Sequence, residues 1–167
     1  MGIESMIKRA LVASLLSLST ATVGASLPLA SARHLSFETA GGTWMAPDVS
    51  PDGKSIVFDL LGDLYSIGSA GGQARPLMPG AAFDANPVFS PVGKQLAFIS
   101  DRSGANNLWI ANADGSSPRQ ISQDDGAAMW TGPSWSPDGR YIYASRMVHA
   151  TLAFEVFMFN KDGGLGT

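Results

Sequence analysis

The stretch "FSPVGKQLAF", Phe89 to Phe98, is written three times in this chain with variations. Forty residues upstream stands "VSPDGKSIVF", Val49 to Phe58, and 46 residues downstream stands "WSPDGRYIYA", Trp135 to Ala144. A phrase used three times is either a chemical site repeated or a unit of architecture. Internal repeats decide a fold before any motif does, so the columns of the three copies come first.

Pro51, Pro91 and Pro137 anchor the alignment. Four residues before each stands another proline, Pro47, Pro87 or Pro133, and two before stands a large apolar residue, Val49, Phe89 or Trp135. Two after each stands Gly53, Gly93 or Gly139, followed by Lys54, Lys94 or Arg140. Ile56, Leu96 and Ile142 follow in register. A second block comes after a spacer of varying length and reads "DLYSIGSAGG", "NLWIANADGS" or "EVFMFNKDGG". It aligns Tyr65, Trp109 and Phe157, then Gly71, Gly115 and Gly163, then Leu77 and Ile121. The third copy stops before its last column.

Each copy predicts four short strands. The first ends at the anchor proline. Pro presets φ at the corner, Asp bonds back to the turn backbone, and Gly accepts positive φ. The second strand, "SIVFDL", "QLAFIS" or "YIYASR", is rich in β-branched and aromatic residues. A link follows, "LGD", "DRSGANN" or "MVHATLAFE", and leads to the aromatic column on the third strand. A turn such as "ADG" leads to the fourth. No stretch after residue 32 holds an i, i+3, i+4 apolar period. Four antiparallel strands in about 40 to 50 residues match a β-propeller blade.

The pattern of Pro, Ser-Pro-Asp-Gly-Lys and a later Asp-Gly resembles the TolB-type propeller repeat, the WD40-like Pro-Asp family, over Phe37 to Gly164. The first two copies, "TWMAPDVSPDGKSIVFDLLGDLYSI" and "AFDANPVFSPVGKQLAFISDRSGANNLWI", are also similar in wording to the propeller ahead of the catalytic barrel in exported amidohydrolase-like proteins. The resemblance implies an all-β fold: a partial propeller of about three four-stranded antiparallel blades, over residues 45–80, 85–125 and 131–167. Propellers of this type usually have six or seven blades. The segment "HLSFETAGGTW", His34 to Trp44, is expected to add one strand ahead of the first blade.

Residues 1–32 read as a signal peptide that forms a helix. Lys8 and Arg9 precede the apolar run from Ala10 to Ala30, and Ala30-Ser31-Ala32 fits the small-x-small cleavage rule. The run is diluted by Ser and Thr, which disfavours a retained anchor. The expected location is therefore periplasmic or secreted, with no membrane contact after cleavage. The 167 residues include no cysteine, which excludes a disulfide scaffold, a zinc ribbon and a cysteine nucleophile. A net charge of −3 gives no reason to expect nucleic acid.

No catalytic, cofactor-binding or metal-ligating residue is assigned, and no cofactor is expected. His34 and His149 lack partners at metal spacing, and no Gly-x-Ser-x-Gly elbow is present. Asp52 and Asp138 are expected to serve their turns. Asp124-Asp125-Gly126 is expected to be a solvated loop, and Arg102 of "DRSG" to sit on a surface turn. Tyr65, Trp109 and Phe157 are expected between blades. A three-blade arc leaves sheet faces and strand edges open. The expected partners are therefore the missing blades and C-terminal domain of a longer chain, or other copies. Any activity would then reside elsewhere: the chain is expected to be a non-catalytic N-terminal fragment serving as a protein- or ligand-binding or accessory module, with the propeller part of an exported metal-dependent amidohydrolase and a self-associating half-propeller as the two alternatives.

Overall fold

A computed structural model describes residues 37–148, 150–164 and 166. The described chain is all β. Blade 1 consists of β1 (Asp48–Val49), β2 (Ser55–Leu60), β3 (Asp63–Gly68) and β4 (Arg75–Pro76), hydrogen-bonded in that order. Blade 2 repeats the order with β5 (Asp84–Phe89), β6 (Gln95–Ser100), β7 (Asn107–Asn112) and β8 (Arg119–Gln120). Blade 3 has three strands: β9 (Ala128–Trp135), β10 (Tyr141–Val148) and β11 (Ala153–Asn160). All pairs are antiparallel. This is a partial β-propeller.

The turn between strands one and two is the same in all three blades. The glycine N–H donates to the serine carbonyl at 2.8 Å in each: Gly53 to Ser50, Gly93 to Ser90, Gly139 to Ser136. The glycines sit at φ of 70, 68 and 67°, the left-handed region where a Cβ is disfavoured. Each serine Oγ also accepts the N–H that opens the next strand, from Ser55, Gln95 or Tyr141. These three serines are buried, and sequence reasoning did not single them out. Their recurrence in the column before the anchor proline was the available signal.

The same turns also touch between blades. A Cβ on Gly93 would lie 3.2 Å from Pro51 Cδ, and one on Gly139 would lie 3.6 Å from Pro91 Cδ. The proline of one turn thus rests on the glycine of the next.

Alternation along the strands gives each blade two faces. Register pairs Phe58 with Tyr65, Phe98 with Trp109, and Ala144 with Phe157. The blade-2 and blade-3 pairs face the preceding blade, and the blade-1 pair lies on the matching side, away from blade 2. Leu96, Phe98 and Ala111 pack on Val57, Leu64 and Leu77 of blade 1, with Trp109 and Met78 at the margin. Ala97, Ile99, Leu108 and Ile110 face the other way, onto Trp130, Ile142, Ala144 and Phe159 of blade 3. Being buried on both sides, β6 is apolar without a polar alternate, which is why "QLAFIS" alternates poorly. Tyr65 stacks on Phe58 with ring centroids 5.7 Å apart, on the side of blade 1 away from blade 2.

Two expectations change. Phe37 to Trp44 form no strand, and Trp44, at φ 62°, breaks extended geometry at its end. The rest of that proposed strand and the signal-peptide helix lie outside the described residues. The blade-3 link "MVHATLAFE" is mostly strand rather than loop. Met147 pairs with Phe154, and Val148 with Ala153, so the hairpin lengthens by extending its own ladder.

Candidate functional site

Two clefts open between blades, and their walls differ. The first, of about 560 Å³, lies between blades 1 and 2 at the end that carries the proline turns. Blade 1 contributes Pro51, Asp52, Ser66 and Arg75, and blade 2 contributes Phe89, Val92 and Asp114. The second, of about 580 Å³, lies between blades 2 and 3 and includes Ser122, Asp124, Trp130, Arg146 and Phe157.

Repeat alignment sets one residue of the first cleft apart from its counterpart. Arg75 on β4 matches Arg119 on β8. The Arg119 guanidinium donates to the carbonyl of Lys161 in the next blade and bridges the two. The matching carbonyl for Arg75 belongs to Ala113, yet among the described residues no hydrogen bond joins them. Among the described residues no carboxylate forms an ion pair with Arg75 within 4 Å, although its charge adds to the Ser116 hydrogen bonds that lower the pKa of Asp114, and it is exposed.

The turn aspartates are occupied by their own turns. Asp52 Oδ1 accepts from Ser50 Oγ at 2.7 Å and from Lys54 N–H at 3.1 Å. Asp138 Oδ1 accepts the same pair from Ser136 and Arg140, and its Oδ2 accepts from Arg140 Nε at 2.6 Å. The serine hydroxyl bond, helped by the backbone and arginine bonds, holds Asp138 at a pKa of about 2. Asp52 is lowered for the same leading reason. Val92 replaces this aspartate in blade 2 and is 74% exposed, so it packs nothing in place of the lost bonds.

Two charged residues expected on surface loops turn inward. The Arg102 guanidinium Nη2 meets both oxygens of Asp84 at 2.7 Å, with side chains 19% and 1% exposed. It also lies 5.2 Å above the rings of Phe98 and Trp109. A guanidinium that stacks and forks at once is held structurally. Asp124 is 4% exposed and accepts from Arg146 Nε at 3.1 Å and from the N–H groups of Gly126 and Ala128. Burial pushes its pKa up, but the Arg146 and backbone bonds outweigh that and leave it below the usual range. It is no solvated loop acid. Asp63 shifts the opposite way, raised by burial and then by the charge of Asp84.

The far face of blade 3 exposes a run of large apolar side chains. Phe154 and Val156 are 67% and 71% exposed, and Met129 and Tyr143 join them. Register places Met147 and Met158 on the same face. At the end opposite the proline turns, Trp44, Leu61, Phe83 and Leu152 form exposed apolar tips. His34 and His149 lie outside the described residues. Among the described residues, no three His, Cys, Asp or Glu side chains gather as metal ligands would.

The repeated blades can now be set beside known proteins. The profile of the TolB beta propeller domain matches residues 27–164. The chain belongs to the TolB β-propeller family. An uncharacterised protein of Agrobacterium fabrum is 35% identical over 117 residues, which are 68% of this chain and 38% of that protein. The Tol-Pal system protein TolB of Francisella tularensis subsp. mediasiatica is 33% identical over 99 residues, 54% of this chain and 22% of that one. Among solved structures, one from Agrobacterium tumefaciens assigned to TolB superposes with a TM-score of 0.63 at 28% identity, covering 72% of this chain and 46% of that one. TolB of Acinetobacter baumannii shares the fold, with a TM-score of 0.59 at 21% identity, 73% of this chain and 31% of that one. This TolB-type chain therefore spans less than half the length of these relatives.

Proposed function

We propose that the chain is a non-catalytic TolB-type propeller segment of a larger exported protein, acting as a binding or accessory module outside the cytoplasm. The observation that carries this is the far face of blade 3. Met129, Tyr143, Phe154 and Val156 present the side that blades 1 and 2 bury against a neighbour. Exposing it alone costs solubility. The occupant is the remainder of a propeller on the same longer chain. Export is supported by the basic residues, apolar run and Ala30-Ser31-Ala32 of the leader.

Expression of Arg33 to Thr167 tests this. Oligomers or poor solubility are expected, and extension of the chain by the residues encoded downstream should restore a soluble monomer. A cooperative, stable monomer of the short form would overturn it. A discrete dimer that extension does not dissolve would establish the self-associating half-propeller instead.

A second reading places the segment ahead of a metal-dependent amidohydrolase barrel, on the wording of its first two repeats. The barrel would bring a His-x-His pair and all the hydrolytic chemistry. Its absence from the extended chain would sink that reading and leave the first intact.

A further inference from the structure

We propose that the cleft between blades 1 and 2 is a binding site for an acidic peptide segment, with Arg75 as anion anchor and Phe89, Val92 and Pro51 as apolar wall. Three observations on different elements meet there. The matched Arg119 ties its blades together through the Lys161 carbonyl, whereas the exposed Arg75 makes no direct bond across its cleft and acts on Asp114 of blade 2 only through its charge. Beside it the cleft measures about 560 Å³, within the range of ligand sites.

The second observation is the substituted turn. Blades 1 and 3 place a carboxylate at the position that Val92 occupies. An aspartate there would add a third acid to a wall that already holds Asp52 and Asp114. Valine removes that charge and exposes an apolar surface. It also leaves Lys94 without the turn carboxylate that pairs with Arg140 in blade 3.

The third observation is the donor and acceptor set. Asp114 Oδ1 accepts from Ser116 N–H at 2.9 Å, and Asp52 Oδ1 is similarly engaged. Asp52 keeps its second oxygen for a new donor, whereas Asp114 is held by both the hydroxyl and the N–H of Ser116; these loop bonds, with the Arg75 charge at Asp114, keep both acids ionised. A simple anion would meet Arg75 but also two carboxylates. A peptide brings an acidic side chain for Arg75, an N–H donor for Asp52, and an apolar neighbour for Val92. The mixture of charges on the wall therefore selects a peptide over a bare anion.

Titration calorimetry on the leaderless chain extended by the residues encoded downstream, the form expected to be soluble, tests this with the capped peptide Ac-Ala-Leu-Asp-Leu-NH2. Saturable binding is expected, weaker by about tenfold or more for the same peptide with Asn in place of Asp, the usual worth of a charge-assisted bond. Arg75→Gln should cost about the same factor, and Arg119→Gln should leave binding unchanged. Val92→Asp should weaken binding while the melting temperature holds or rises, a combination that a folding defect cannot produce. Binding unmoved by Arg75→Gln and Val92→Asp would overturn the site, as would no binding at all. Acetate binding as tightly as the peptide would overturn the choice of a peptide.

Discussion

The two blade interfaces use the same repeat and hold together differently. Between blades 1 and 2 the core is aliphatic with Phe98 at its centre, and the cross-links are carboxylates, Asp59 buried and Asp48 half-buried. Asp59 accepts from the N–H of Ala46 at 2.7 Å and, across the interface, from that of Asn86 at 2.8 Å, while Asp48 accepts from Phe89 N–H at 2.7 Å. Between blades 2 and 3 an aromatic cluster joins the aliphatic core. Trp130 meets Phe157 and Phe159 edge-on, each at 5.3 Å. Its cross-links are side chains reaching backbone from several strands: Trp135 Nε1 to the Val88 carbonyl, Arg119 to Lys161, and Asn106 accepting from Trp130 N–H. The blade repeat thus fixes which faces meet, and the individual side chains decide how tightly the ends close.

Cutting each core should produce the largest effects. Phe98→Ala and Trp130→Ala should each destabilise by about 3–5 kcal/mol in denaturant melts. Stacked repeats couple mainly to their neighbours, so the double variant should be additive within about 0.5 kcal/mol. A cost below about 1 kcal/mol for either would mean that its ring is not packed between blades.

Asp59→Ala tests the carboxylate latch. It strips the acceptor from two N–H groups, and about 2–3 kcal/mol of stability should be lost. Asp59→Asn should lose less, because its one oxygen still serves one donor. Equal losses would mean that the charge matters and the geometry does not.

The turn glycines separate the interfaces more finely. Gly93→Ala and Gly139→Ala both place a Cβ at positive φ, at about 1 kcal/mol. Gly93→Ala also drives that Cβ to 3.2 Å from Pro51, against 3.6 Å from Pro91 at Gly139. It should be the more damaging, and the reverse order in thermal melts would refute the proline contact.

Val92→Asp should act in the opposite direction. The side chain is exposed, and an aspartate there can accept from Ser90 Oγ and Lys94 N–H as Asp52 does in blade 1. A gain of about 0.5 kcal/mol is expected. A clear loss would show that Val92 is packed.

Acid should reveal the same bonds without mutation. Asp52, Asp124 and Asp138 have folded-state pKa values below their ordinary value of 3.8, that of Asp138 at about 2. As pH falls, the unfolded chain takes up their protons first. Their contribution is complete well above 3.8 and fades as pH drops toward about 2. Stability should fall over that window, and the carboxyl resonance of Asp138 should titrate last of the three. A titration of Asp138 at its ordinary value would mean that its turn bonds do not form in solution.

The blades were legible because their grammar is local. Pro51, Asp52 and Gly53 define a turn within four residues, and the aromatic column fixes the third strand. What escaped is set by distance along the chain. Arg102 finds Asp84 18 residues back, and Asp124 finds Arg146 22 residues on. Nothing within either loop foretells its partner. The cleft at Arg75 was equally hidden. Arg75 and Arg119 occupy one column, and only the cross-blade contact made by Arg119 separates them.

The stacking of Pro51 on Gly93 and of Pro91 on Gly139 gives the arc a direction. Each turn offers a ring forward and a bare backbone behind, like a hook and an eye. Pro137 is a hook with no eye among the described residues, and Gly53 is an eye, since nothing lies within 4 Å of where its Cβ would be. A unit joined by the same contact must add head to tail. A two-fold pairing, which brings like ends together, would set hook against hook. Growth by this contact is therefore vectorial, and it ends only when the last hook reaches the first eye.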